Sequence, residues 1–184
     1  MKQLAWLTLL FAAVLLSASF AGYKFSSRVT DPERARYLQS YILSNLQQAK
    51  DWDQVRRRAE FWRVLKNNLK VDLVIFGGAL TLGFLGFSTL IINGYQIGYL
   101  CKFATFMGIP ESTYLHYTVP HGVFEIFGFA LAQAIATQVA IHLIQYFRGQ
   151  GLNLNRRLLI SSTFSVGLII FAAWVEVYIT PYLH

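Results

Sequence analysis

Residues 73–101 read LVIFGGALTLGFLGFSTLIINGYQIGYLC, which is 29 residues without one charged side chain. The hydrocarbon core of a bilayer takes about 20 apolar residues per helical span, so this stretch is too long for one span and is predicted to bend. The pair Asn93–Gly94 predicts the position of the bend, because both residues tolerate the positive backbone angles of a turn. We therefore expect one membrane segment before this pair and a shorter one, at residues 94–109, after it.

Three more apolar runs lie outside this stretch, at residues 4–22, 126–147 and 158–175, and His142 is the only Asp, Glu, Lys, Arg or His in them. Hydrophobic residues make up 55% of the 184-residue chain and charged residues 14%, which is more apolar than a soluble core requires. The predicted fold class is an all-α, polytopic helical membrane bundle with four or five membrane segments. Cys101 is the single cysteine, so no intramolecular disulfide is expected.

The positive charge of the chain is concentrated rather than spread. Eleven of the sixteen Lys and Arg lie between Lys24 and Lys70, and the net charge is +7. This clustering does not favour a nucleic-acid partner; it predicts that residues 23–69 face the cytoplasm, with the N-terminus outside, in a multi-pass protein of the cytoplasmic membrane. An alternative stays open, because the apolar run ending in Ser19-Phe20-Ala21 also resembles a cleaved secretory signal.

Three regions follow from this pattern: an N-terminal transmembrane anchor at residues 1–22, a basic amphipathic cytoplasmic helical segment at 23–69, and a membrane-embedded domain at 70–184. Apolar residues recur at a helical period in the second region, with basic residues between them. This helix is expected either to lie on anionic lipid or a partner, or to pack on the bundle. The predicted surface contacts are Arg56, Arg57, Arg58, Trp52 and Trp62.

Two topologies are open for residues 94–109. If they cross the membrane fully, the loop with Arg148, Arg156 and Arg157 lies outside, whereas if they are re-entrant that loop is cytoplasmic. The positive-inside tendency favours the re-entrant topology.

Three ionisable side chains are predicted to meet inside the bundle. His121 and Glu125 are four residues apart and share one helix face, and Glu176 is expected at a similar depth on the antiparallel next helix. Such groups are costly in a membrane and suggest function. Helix locking, metal binding or catalysis, and proton relay are the three interpretations; neither a metal site nor a cofactor is predicted, and no catalytic residue is assigned.

Several motifs together resemble the stage II sporulation protein M family over about residues 60–184. They are Asn67-Asn68 before a span, Asn93-Gly94, PHGVFE at 120–125 and AAWVEVYITP at 172–181. The matching positions are Asn68, Asn93, Gly94, His121, Gly122, Glu125 and Glu176, and Asn67, Asn68, Asn93, Gly94 and Gly122 are interpreted as turn and helix-start residues. The resemblance assigns no chemical role to any of them.

The resemblance implies several roles. The member found in endospore formers is similar to a scaffold that recruits peptidoglycan-remodelling enzymes, and others look like proteins encoded beside transport ATPases or in clusters for cyclised bacteriocins. The leading hypothesis is a non-enzymatic membrane scaffold whose partners are the lipid bilayer and other membrane proteins, such as a transport ATPase or cell-wall enzymes. The alternatives are a membrane subunit of an ABC-type export or bacteriocin maturation and secretion system, and an intramembrane hydrolase or ligase that uses His121, Glu125 and Glu176.

Overall fold

The fold is a bundle of long helices. The computed structural model describes residues 2–25, 40, 49–151 and 156–182, and this part of the chain contains no β-strand. The all-helical fold class is therefore confirmed for these residues. Its long helices are α1 (Lys2–Phe25), α2 (Gln54–Gly77), α3 (Phe84–Phe106), α4 (Glu111–Phe147) and α5 (Arg156–Tyr178), and 3-10 turns lie at Ala49–Asp51, Gly78–Thr81 and Thr180–Tyr182.

Helices α1 and α3 pack closely and run parallel. A Cβ atom built on Gly94 would lie 2.5 Å from the carbonyl oxygen of Leu15, and one built on Gly98 would overlap the carbonyl oxygen of Ser19. The Ser19 hydroxyl also donates a hydrogen bond to the Gly94 carbonyl oxygen at 2.9 Å. Both glycines are therefore needed because the two backbones approach each other, as in tightly packed membrane helices.

The predicted turn at Asn93–Gly94 is wrong. Both residues lie inside α3, where the Asn93 side-chain amide donates to the Thr89 carbonyl oxygen at 2.8 Å. The chain reverses earlier, in residues 78–83, where Leu82 and Gly83 have φ angles of 55° and 89°. Residues 94–106 consequently continue a helix instead of starting a re-entrant segment.

Helix α2 crosses the predicted boundary between residues 69 and 70. It begins at Gln54, where the Asp53 carboxylate caps it by accepting a hydrogen bond from the Arg56 backbone N–H at 2.7 Å. Asn67 and Asn68 lie well inside this helix, so the interpretation of them as helix-start residues is wrong. The predicted amphipathic segment at residues 26–39 and 41–48 lies outside the described residues.

Helix α4 forms the centre of the bundle. All of its residues from 128 to 136 are buried, and the small ones among them let its neighbours approach. The Ser165 hydroxyl of α5 donates to the Gly128 carbonyl oxygen at 2.8 Å, and the rings of Phe124 and Phe171 pack 4.7 Å apart. Since the earlier residue of α4 meets the later residue of α5, these two helices are antiparallel.

The five long helices alternate in direction along one axis. The start of α1 packs near the start of α5 and the middle of α4, since Leu4 contacts the cluster that includes Leu158 and Leu131. At the other end, Tyr23 donates a hydrogen bond to Glu111, at the beginning of α4. One end of the bundle therefore holds the starts of α1, α3 and α5, and the opposite end holds the starts of α2 and α4.

Three helices in the described part are long and apolar enough to cross a membrane, namely α1, α4, and α5 with the turn that follows it. Large apolar side chains cover their outer faces; Trp6 is 72% exposed and Phe164 62%. Such a surface suits lipid and not water. Helices α2 and α3 lie alongside, so the count of four or five membrane segments stays a prediction.

Candidate functional site

A polar cluster lies where α2, α4 and α5 meet. The Asn68 side-chain amide of α2 donates a hydrogen bond to Glu125 of α4, and Asn68 is buried. Glu176 of α5 interacts electrostatically with Glu125. The sequence places Asn68 here because it shares the inward face of α2 with buried Leu65 and Asp72. The amide thus links α2 to α4, and the Glu176 carboxyl group of α5 lies close to that link.

The charged side chains of α2 extend this cluster toward the helix start. Glu176 also interacts electrostatically with Arg63 and Glu60. The Arg63 guanidinium donates hydrogen bonds to the Glu60 carboxylate, one of them at 2.8 Å, and this pairing holds the pKa of Glu60 below its usual range. The cluster therefore has a cation close by at the end of the bundle where α2 begins.

His121 is placed differently from the two carboxyl groups. Its Nδ1 atom is buried and has no hydrogen-bond partner among the described residues, so neither Glu125 nor Glu176 orients that nitrogen. Those residues also include no group of three or more His, Cys, Asp or Glu side chains arranged to hold a metal ion. Neither the hydrogen bond between Asn68 and Glu125 nor the electrostatic interaction of Glu125 with Glu176 includes His121 Nδ1.

The PHGVFE motif does not begin a helix. Helix α4 starts at Glu111 and passes without a break through Pro120 and Gly122. The prediction that Gly122 marks a helix start is therefore wrong. A Cβ atom on Gly122 would meet only the Thr118 side chain, at 3.8 Å, so nothing in the structure explains this glycine.

Arg57 is not a surface residue. It is 5% exposed, and its guanidinium donates to the carbonyl oxygens of Trp52, Ala49 and Val177 at 3.0–3.1 Å. It also donates to the Tyr182 hydroxyl at 2.6 Å and lies over that ring. The prediction that Arg57 contacts lipid or a partner is wrong, because this side chain ties the beginning of α2 to the end of α5.

The other predicted contact residues lie at or near the surface. Arg56 and Arg58 are exposed, Trp62 is 48% exposed and Trp52 is half-buried. The Arg56 guanidinium stacks 5.0 Å from the centre of the Trp52 ring. What these four residues contact stays a prediction.

The outward side of α2 carries a line of cations. Lys66 and Lys70 are exposed and lie one turn apart, so they share one side of the helix; we call them the cationic face. Lys70 is two residues, about 3 Å, beyond Asn68 along the axis. Asn68 donates a hydrogen bond to Glu125, and the neighbouring Phe124 packs against Phe171 in the central part of α5. Lys70 therefore lies at the depth of the central part of α5, a helix long and apolar enough to cross a membrane.

Asp72 and Gln133 are buried polar residues that were not predicted. Asp72 is 1% exposed, and its Oδ1 atom has no hydrogen-bond partner among the described residues. Gln133 donates through its amide to the Gly83 carbonyl oxygen at 3.3 Å. The position of Asp72 four residues after Asn68 was the available signal, since that spacing puts both on one face.

Comparison with known proteins gives one family. The family model described as stage II sporulation protein M matches residues 6–181, so the match begins well before residue 60. An uncharacterized protein of Methanocaldococcus jannaschii is 31% identical over 126 residues, which cover 66% of this chain and 71% of that protein. No solved structure gives a significant match.

Proposed function

The chain belongs to the stage II sporulation protein M family, and from this premise we propose that it is a non-enzymatic membrane component that assembles with partner proteins through the cationic face of α2. It would do so in the cytoplasmic membrane as a multi-pass protein. The observation that carries the proposal is the exposure of Lys66 and Lys70 on a helix packed along helices that are long and apolar enough to cross a membrane.

Exposure of the cationic face of α2 to lipid is energetically unfavourable. A lysine at the centre of a membrane helix costs roughly 2.5–3.5 kcal/mol on the insertion scale, although a long side chain near a helix end can reach the interface. Lys66 lies nearer the helix start, whereas Lys70 lies deeper by about 6 Å. A partner helix with acidic or hydrogen-bond-accepting side chains at that depth would remove the cost for Lys70.

The distribution of charge supports a cytoplasmic position for the end where α2 begins. Residues 24–58 of the sequence carry eight Lys and Arg, whereas the described residues at the opposite end include four, namely Lys2, Arg148, Arg156 and Arg157. The positive-inside tendency then puts the residues before α2 in the cytoplasm. The arginine loop at 148–157 would lie outside.

Photo-crosslinking tests the proposal without altering the cations. A benzophenone amino acid at Val74, which is 42% exposed and one turn beyond Lys70, samples the same side of α2. We expect a discrete protein adduct in native membranes that weakens with Lys66→Gln and Lys70→Gln together and persists with Lys70→Arg. The matched control is the same probe at Phe164 on the outer face of α5, where no such adduct is expected.

The outcome also separates the hypotheses. Identical products from the Val74 and Phe164 probes, or an adduct with residues 26–48 of the same chain, would refute the partner surface. Capture of a transport ATPase would support the export alternative, and capture of cell-wall enzymes would support the scaffold.

A further inference from the structure

An open cavity of about 360 Å³ lies at the end of the bundle where α1 and α5 begin. This volume is in the range of small-ligand sites. Three helices form its wall, namely the first turn of α1, the last third of α4 and the first turns of α5. Its polar lining consists of Gln3, Gln138, His142, Gln145, Arg157 and Ser161.

The lining is rich in hydrogen-bond donors. Arg157 contributes a guanidinium, the three glutamines contribute amide N–H groups, and Ser161 contributes a hydroxyl. None of the described residues that line the cavity is acidic. The positive ends of the α1 and α5 dipoles also lie at this end of the bundle. A group with several anionic oxygens satisfies such a lining.

The cavity is also amphipathic. Leu4, Ile141 and Leu158 form part of its wall beside the polar groups. Leu4 and Leu158 lie in the first turns of two helices that are long and apolar enough to cross a membrane. The first turns of such helices lie at the depth of the lipid headgroups. The His142 Nδ1 atom lies 3.2 Å from the Gln145 carboxamide oxygen, so the contact uses the acceptor of this amide and neither of its N–H donors.

From these observations we propose that the cavity binds a phosphate group, held by Arg157 and the surrounding amide and hydroxyl donors, with an anionic phospholipid headgroup as its source. The planar guanidinium matches two phosphate oxygens at once. The apolar wall would face the first carbons of the acyl chains. This site is separate from the cationic face of α2, so either proposal can fail without the other.

Native mass spectrometry of the full chain in mild detergent tests the site. Wild-type protein is titrated with phosphatidylglycerol, with phosphatidylcholine, and with inorganic phosphate alone. We expect Arg157→Gln to weaken phosphatidylglycerol binding by about tenfold to a hundredfold, because a charge-assisted hydrogen-bonding group is lost. Arg157→Lys keeps the positive charge but loses the planar pair of donors, so its affinity for phosphatidylglycerol is expected to lie between those of wild type and Arg157→Gln.

Arg148→Gln is the matched control, since Arg148 caps the end of α4 without lining the cavity. Equal loss in both arginine variants, or equal binding by all proteins, would overturn the proposal. A third outcome is that inorganic phosphate binds wild type but not Arg157→Gln, while phosphatidylglycerol binds neither. This result would support the phosphate site and identify a free anion, not a lipid, as the ligand. A thermal unfolding curve for each variant separates loss of the site from loss of the fold.

Discussion

Replacement of Arg57 by methionine is expected to destabilise the bundle more than any neighbouring surface change. The substitution keeps an apolar stem but removes donors that reach three carbonyl oxygens and the Tyr182 hydroxyl. A hydrogen bond from a charged group contributes about 1.5–3 kcal/mol, and contacts of one side chain do not add fully. We therefore expect a loss of about 3–5 kcal/mol in the free energy of unfolding, similar to the removal of one member of a buried charged pair.

Unfolding by SDS titration in mild-detergent micelles, followed by tryptophan fluorescence, measures this loss. The control is Arg58→Met, because Arg58 is the next residue and is exposed. Tyr182→Phe, alone and combined with Arg57→Met, gives the coupling energy of the contact across the bundle, expected at roughly 0.5–3 kcal/mol for residues in contact. If Arg57→Met and Arg58→Met unfold at the same SDS concentration, the guanidinium does not stabilise the junction of α2 and α5.

Three further contacts are tested by substitution in the same unfolding assay. Gly98→Ala is expected to cost about 1–3 kcal/mol, because its Cβ atom would overlap the backbone of α1. The control is Gly167→Ala, whose Cβ atom meets nothing within 4 Å and which is expected to be neutral or slightly stabilising. Equal effects of the two substitutions would refute the close approach of α1 and α3. Glu125→Gln retains an acceptor for Asn68 and should cost less than Glu125→Leu, which leaves the buried amide unpaired at about 1–3 kcal/mol; the reverse order would show that the amide finds another partner. Ser165→Ala removes a buried hydrogen bond from α5 to α4 and should cost about 1 kcal/mol, and an unchanged midpoint would argue against that bond.

The helical fold class was predictable from the sequence, but the position of its main reversal was not. Long apolar runs identify helices because a chain in lipid must satisfy its own backbone. Glycine has two uses, however, and sequence alone does not distinguish them. Gly94 allows two backbones to approach, whereas Gly83 adopts a positive φ angle at the turn. The turn also requires a positive φ angle at Leu82, for which leucine gives no signal.

The candidate site was predictable where its contacts follow from helix direction. Antiparallel neighbours put Glu125 and Glu176 at comparable depth, and in the structure the two carboxyl groups lie close enough to interact electrostatically. The family resemblance singled out Asn68, but it did not indicate that Glu125 is the hydrogen-bond partner of this residue. The burial of Arg57 depends on Val177, which is 120 residues later in the chain, and local periodicity carries no information about such a contact.

The alternating helix order has a consequence for biosynthesis. Helix α2 carries eight charged side chains and is not among the helices that qualify as spans, yet it is made before α4 and α5, which cover its inward face. During translation, Asn68 and Arg57 therefore leave the ribosome long before Glu125 and Val177 do. A lipid-exposed α2 would be costly in that interval, so we expect the insertion machinery to retain it until the later helices arrive. In a chain with Cys101→Ser and a cysteine introduced on the inward face of α2, stalling of the ribosome before α5 should leave that cysteine accessible to aqueous thiol reagents, and completion of α5 should protect it.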